Sequence, residues 1–171
     1  MLKAFGCLDK RLSRSVRLII GGGGAMLLAH GFRLVTTDID GIPAAGVSIE
    51  ELDPFIKEVA KELSLPPDWL NPYFSTFAHV LPSDYGSRLI RVSDLPRLKV
   101  DALSKEDLLI MKCFAARQKD VLHGRKLIRD GAKLNFVRAH IESLGKKKIP
   151  GVEKALSFLN ELEAFFKERE E

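Results

Sequence analysis

Apolar positions along the 171-residue chain change their spacing near residue 103. Before that point short apolar runs alternate with helical stripes; after it every stripe has helical spacing. Leu2, Phe5, Leu8 and Leu12 recur at helical intervals and predict a first helix within residues 1–14. Val16-Arg17-Leu18-Ile19-Ile20 predicts a buried strand over 16–21 that runs straight into Gly21-Gly22-Gly23-Gly24. A short helix is expected from Gly24 to His30, with Gly31 placed to cap its C-terminus. Arg33-Leu34-Val35-Thr36-Thr37-Asp38-Ile39-Asp40 predicts a second strand over 33–40, which Gly41-Ile42-Pro43 breaks or bends.

Ser48 and Glu51 form a capping-box start for a helix carrying Leu52, Phe55, Ile56, Val59, Ala60 and Leu63 on one stripe. Residues 65–72, with Pro66, Pro67 and Pro72, read as a structured turn, and Trp69 within it as a core or lid anchor. A short helix is expected from Phe74 to Val80, then strands over 88–92 and 98–103. Helices are expected over 104–117, 118–130, 134–145 and 151–169, separated by Gly131 and by Gly145 to Gly151. The last carries Val152, Leu156, Leu159, Leu162 and Phe166 as a stripe suited to a partner helix. The fold class is therefore α+β: a small mixed sheet flanked by helices over 1–103, then a helical bundle over 104–171, packed as a single compact unit.

Composition changes this picture little. The chain is 46% hydrophobic and 29% charged, the profile of a soluble globular domain. No apolar run approaches the roughly 18–20 residues of a membrane span, and the N-terminus lacks the apolar core of a signal peptide. Cys7 and Cys113 lie far apart and read as reduced thiols, which suggests a cytoplasmic location. The net charge of +4 is compatible with nucleotide or RNA binding. Part of it sits in Lys146-Lys147-Lys148, either a solvated helix end or a contact for an RNA backbone.

The chemistry concentrates at the glycines and the Asp-x-Asp. Glycines let a backbone come close to a ligand and present N–H groups to phosphate at a helix start. On a strand, Asp38 and Asp40 project from one face, where two carboxylates hold a hard divalent cation. Other phosphate motifs fail. The glycines are not followed by the Lys-Ser or Lys-Thr of a Walker loop, and Met26 and Leu27 stand where a dinucleotide loop has its third glycine.

Gly23-Gly24-Ala25 with Arg33, Thr37, Asp38 and Asp40 resembles the signature of the nucleotidyltransferase superfamily related to DNA polymerase β, in particular its minimal branch, which includes the AbiEii-like toxins of toxin–antitoxin pairs. Many members have Gly-Ser where this chain has Gly-Gly, which narrows the likeness to the minimal branch. The resemblance implies a nucleotidyltransferase-type sheet, with Asp38, Asp40 and a third carboxylate as catalytic and metal-binding residues. Asp101, in Val100-Asp101-Ala102-Leu103, is the first candidate for the third; Asp94 and Asp84 are alternatives. It further implies that Gly22, Gly23, Gly24, Arg33 and Thr37 bind the nucleotide. Asp107 to Asp120 resembles a downstream family helix, which adds Lys112 and Asp120 to that set; His123 stands where many members have a further Asp. A lysine among apolar residues on a buried helix calls for an anionic partner, phosphate or carboxylate, unless it snorkels to the surface.

The activity implied is transfer of a nucleoside monophosphate from an NTP to a hydroxyl of RNA (tRNA in some relatives) or protein. Two Mg²⁺ ions are implied, with Mn²⁺ as a substitute, and an antitoxin protein as partner; no membrane is involved. The alternative is a catalytically degenerate module that binds nucleotide or a partner protein, suggested by His123 and by the stripe of the last helix. A third reading is an unrelated α/β domain with a tight glycine turn.

Overall fold

Side-chain alternation along the central strand β1 (Val16–Ile20) decides what each face of its sheet becomes. The computed structural model describes residues 1–33, 36–44 and 46–167. They fold into two compact units, one of Met1–Thr76 with Ser87–Leu103, the other of Phe77–Gly86 with the chain from Ser104 on. The first holds helices α1 (Leu2–Arg11), α2 (Gly22–Leu28) and α3 (Ile49–Leu63), and strands β2 (Ile39–Pro43), β3 (Leu70–Asn71), β4 (Ile90–Asp94) and β5 (Leu98–Ala102). The sheet runs β3-β2-β1-β5-β4. Strand β1 is antiparallel to β2 and parallel to β5; β3 adds parallel to β2 and β4 antiparallel to β5.

In the β1–β5 register Val16, Leu18 and Ile20 lie beside Leu98, Val100 and Ala102, all buried. Helix α1 packs on β5 and on α3, adding Phe5 and Leu8 from α1, Leu12 just past its end, and Leu52, Ile56 and Val59 from α3. Burying such a side chain contributes about 1.5–3 kcal/mol. A one-residue slip would turn this set outward and bury Arg17 and Lys99, so the register is fixed by the apolar face. Trp69 belongs to this core: it is fully buried, its Nε1 donates to the Ile56 carbonyl at 3.0 Å, and its ring lies 6.0 Å from that of Phe5. It is not a lid.

Several expected boundaries move. The second strand starts at Ile39, not at residue 33, so Asp38 precedes it; Leu34 and Val35 lie outside the described residues. Gly41-Ile42-Pro43 continues the strand instead of ending it, pairing with Ile20, Ile19 and Leu18. A side chain at Gly41 would press on Ile20 and Leu70, so glycine is there for close packing. Helix α2 begins at Gly22, two residues early. The expected turn at 65–72 contains the two-residue strand β3, and the helix expected over 74–80 shortens to α4 (Ser75–Ala78).

The second unit is helical: α5 (Lys105–Ala115), α6 (Gln118–Arg129), α7 (Leu134–Lys146) and α8 (Val152–Lys167). Helix α5 is buried from Asp107 to Phe114 and packs against the other three. The α8 stripe, expected to suit a partner, is used internally: Leu159 and Leu162 are buried, and Gly124 of α6 leaves room for the Leu162 methyls. The expected extension of this helix to residue 169 falls partly outside the described residues.

Asp9 ties α1 to the sheet. Its buried carboxylate accepts from the backbone N–H groups of Arg97 (2.7 Å) and Leu98 (2.8 Å). Asp9→Ala leaves these donors unpaired and should lower stability by about 2–3 kcal/mol, measured by urea unfolding; a loss under ~0.5 kcal/mol contradicts the assignment.

Candidate functional site

The turn from β1 into α2 is built around the second strand. Gly22 has φ +58°, and a Cβ there would fall within the contact shell of Asp40 Oδ2. At Gly21 a Cβ would come within 2.5 Å of the Phe74 ring, and at Gly24 within 2.6 Å of Ile39 Cδ1. Each clash is under the distance that real Cβ atoms keep, so these three positions require glycine or a shift of the neighbour. Backbone hydrogen bonding closes the turn, with the Gly21 N–H donating to the Asp40 carbonyl at 2.8 Å. The glycines thus lay bare backbone directly against an Asp-x-Asp carboxylate.

Asp38 stands one residue before β2 and is held by its neighbours. Thr36 Oγ1 donates to the Asp38 carbonyl at 2.9 Å and to Oδ1 at 3.2 Å. Asn71 Nδ2 donates to Asp38 Oδ2 at 3.2 Å, and Asn71 Oδ1 accepts from the Tyr73 N–H. The β2–β3 register pairs Asp40 with Asn71, which brings this amide beside the carboxylates. Sequence reasoning passed over both Thr36 and Asn71. Arg33 and Thr37, expected to bind the nucleotide, are both exposed.

Asp40 and Asp101 share a sheet face. Ile42 and Asp101 both pair with Ile19, and Asp40 lies two residues before Ile42. Yet the Asp101 carboxylate, 2% exposed, is committed elsewhere: Arg17 Nε reaches Oδ2 at 2.5 Å and Arg91 Nε reaches Oδ1 at 2.5 Å. Such a buried carboxylate needs partners of opposite charge, and two half-exposed guanidinium groups supply them. Among the described residues no three His, Cys, Asp or Glu side chains are grouped to hold a metal. Asp94, an alternative, lies between Arg91 and Lys99 at 3.3 and 3.5 Å; Asp84 belongs to the other unit. Asp38 and Asp40 alone still suit Mg²⁺, which is commonly held by one or two carboxylates with water and substrate phosphates completing its shell.

In the second unit Lys112 and Asp120 meet each other. Lys112 Nζ donates to Asp120 Oδ1 at 2.6 Å, Arg117 Nε to Oδ2 at 2.8 Å, and the Arg117 N–H to Oδ2 at 3.2 Å. Lys112 is buried, so it does not snorkel, and the anionic partner it required is this carboxylate. Burial alone would raise the Asp120 pKa, but hydrogen bonds from Arg117 and Lys112 outweigh it and hold the carboxyl below its ordinary value. His123, one turn further on, has its Nδ1 3.9 Å from Asp120 Oδ1 and buried with no hydrogen-bond partner among the described residues. Burial, then the positive charge of Lys112, pushes this imidazole down to about 4.

Cys113 is inert by its surroundings, its thiol pushed up to about 12 by burial. His30 and His140 bond backbone carbonyls, of Leu103 and Val80, as packing residues. No helix among the described residues is long and apolar enough to cross a membrane.

A mixed sheet whose central strand turns through glycines against an Asp-x-Asp pair is the arrangement that the resemblance to nucleotidyltransferases implies. Residues 4–141 match a family described as nucleotidyltransferase of unknown function (DUF6036), and the chain belongs to that family. No curated protein and no solved structure matches it.

Two variants test the glycine turn. At Gly22 strain and the Asp40 contact add, whereas Gly31, at φ +66°, has no atom near a new Cβ. Gly22→Ala should cost about 1–3 kcal/mol and clearly more than Gly31→Ala, by urea unfolding; equal losses contradict the packing against Asp40. A pH titration tests His123. Its folded pKa lies below the unfolded 6.5, so the unfolded chain binds the proton first. Stability should be complete above pH 6.5 and fall as the pH drops toward about 4. His123→Gln should flatten the melting temperature across that window; an unchanged slope removes His123 as the cause.

Proposed function

We propose that the protein is a Mg²⁺-dependent nucleotidyltransferase that moves a nucleoside monophosphate from an NTP to a hydroxyl of RNA or protein. The observation that carries this reading is the contact of the Gly22 backbone with the Asp40 carboxylate, beside an Asp38 already fixed by Thr36 and Asn71. Phosphoryl chemistry of this kind asks for positioning and charge compensation more than for covalent help. Bound by Asp38 and Asp40, Mg²⁺ would offset charge on the triphosphate and lower the barrier to attack by the acceptor oxygen. The glycine turn sets backbone N–H groups beside those carboxylates, where they can receive phosphate oxygens. Asn71 and Thr36 hold the Asp38 rotamer, so its oxygens need little rearrangement to ligate. Arg17 and Arg91, on the Asp40 face of the sheet, neutralise Asp101 and so keep a third carboxylate charge from opposing a polyanionic substrate.

The minimal, AbiEii-like branch of the polymerase β-related superfamily is the best placement within that class, because Gly-Gly, Arg33, Thr37 and Asp38-x-Asp40 follow its pattern. A role in a toxin–antitoxin pair, NTP as donor, tRNA as acceptor and a cytoplasmic site of action belong to the same proposal. A second reading, a degenerate module that binds nucleotide without transfer, draws on one observation: Asp101, the candidate third carboxylate, is held by two arginines.

Incubation with Mg²⁺, each labelled triphosphate and total RNA or lysate separates the two. Label transfer should fall by about 10²–10³-fold or more in Asp38→Ala/Asp40→Ala. Triphosphate binding with no transfer by the unaltered protein favours the second reading, and neither binding nor transfer overturns both.

A further inference from the structure

The second unit carries two adjoining cavities that the nucleotidyl-transfer reading leaves unused. The larger, about 510 Å³, lies between the segment 79–84 and one side of α7. Its wall is anchored by His140, whose Nε2 sits 2.8 Å from the Val80 carbonyl. A carbonyl only accepts, so Nε2 carries the proton; in the neutral ring Nδ1 is then an acceptor. Phe136, 36% exposed, lines the same cavity, with the Ser83 and Ser143 hydroxyls. The smaller, about 460 Å³, lies at the α7–α8 turn and shares Ile149 with the first. Lys147 lines one cavity, Lys148 and Lys154 the other, and exposed Lys146 precedes them in the chain at the end of α7. These lysines outnumber the two carboxylates on the same walls, Asp84 and Glu153.

An exposed aromatic ring, hydroxyls and an imidazole in one hollow, with a row of ammonium groups leading to the next, form a surface of defined chemistry. A base has a flat π-face for the ring and edge groups for the hydroxyls, and its backbone supplies the negative charge. Double-stranded RNA hides its bases and would reach only the lysines. We propose that these cavities form a single-strand RNA site, in which a base stacks on Phe136 and the adjoining phosphates lie along Lys146, Lys147 and Lys148. This rests on the reading of RNA as the acceptor.

The test is anisotropy of a short fluorescein-labelled single-stranded RNA of mixed sequence on the full chain, titrated with salt. Phe136→Ala should weaken binding about tenfold, and Phe136→Tyr should restore it. Replacing Lys146, Lys147 and Lys148 by Ala should reduce the slope of log affinity against log salt by about 2. Replacing exposed Lys10, Lys57 and Lys61 of the first unit should leave that slope unchanged. Circular dichroism verifies folding of each variant. No RNA binding by the unaltered protein, equal binding of duplex RNA, or unaltered binding by the Phe136→Ala and triple-lysine variants overturns the site. Loss of RNA binding in those variants supports it even if the unaltered protein transfers no nucleotide, an outcome that sinks only the enzymatic reading.

Discussion

Everything chemical in the first unit depends on one steric constraint: the chain must leave β1 and enter α2 through a gap bounded by Asp40, Ile39 and Phe74. A side chain enters that gap only if its neighbours shift. At Gly22 the left-handed backbone adds strain and the carboxylate would have to move; at Gly21 and Gly24 a ring and a methyl group would. The glycine run is often read as room for a phosphate. Here its first cause lies within the fold, and the bare backbone that phosphate would need follows from it. A strand-to-helix turn pressed onto a carboxylate puts N–H donors and hard oxygen acceptors together, which is the pairing that a metal–triphosphate complex requires.

The aspartates named as site candidates divide by what they meet. Asp101 and Asp120 are almost wholly out of water, and each is met by two cationic side chains. Asp38 is partly exposed and, among the described residues, meets neutral donors, a hydroxyl and an amide. An ionised group out of water must be compensated within the protein. A carboxylate that has only neutral partners and access to solvent keeps its attraction for an incoming cation. Sequence spacing cannot make this distinction, because Asp38, Asp101 and Asp120 are alike in a list of aspartates. Neighbours from distant strands and turns, Arg17, Arg91 and Asn71 among them, make the difference.

Legibility followed the same division. The central strand, the glycine turn, the fifth strand and the four late helices were readable because each is specified by local periodicity or by glycine. The second strand was misplaced because Gly41 and Pro43 are local strand breakers, whereas pairing with β1 and packing of Gly41 on Ile20 and Leu70 overrule that tendency. Strand β3 was unreadable because two residues have no periodicity. Trp69 was ambiguous until its partners, the Ile56 carbonyl and Phe5, came from other elements. Thr36 and Asn71 were missed for the related reason that a short polar residue signals nothing until something stands opposite. The stripe on α8 was legible as apolar, but its use within the chain was not.

The Lys112–Asp120 pair shows how a family motif and a folding need can call for the same residues. Removing Asp120 strands the buried Lys112, which costs about 3–5 kcal/mol, and removing Lys112 leaves Asp120 to Arg117 alone, whereas replacing both by apolar residues of similar volume is often neutral or stabilising. Loss of activity on changing Lys112 alone or Asp120 alone would therefore follow from unfolding as readily as from lost chemistry. The two roles separate only when the pair is replaced together. A chain that then folds has lost the charges and kept the packing, and its activity reports on chemistry alone. His123 sharpens this logic, since a depressed imidazole next to the pair keeps the local charge fixed at neutral pH. With Lys112, Arg117 and Asp120 already satisfying one another, the cluster can stand as structure without any ligand. A phosphate drawn to Lys112 would have to compete with a carboxylate 2.6 Å away, and it could do so only by rearranging that pair.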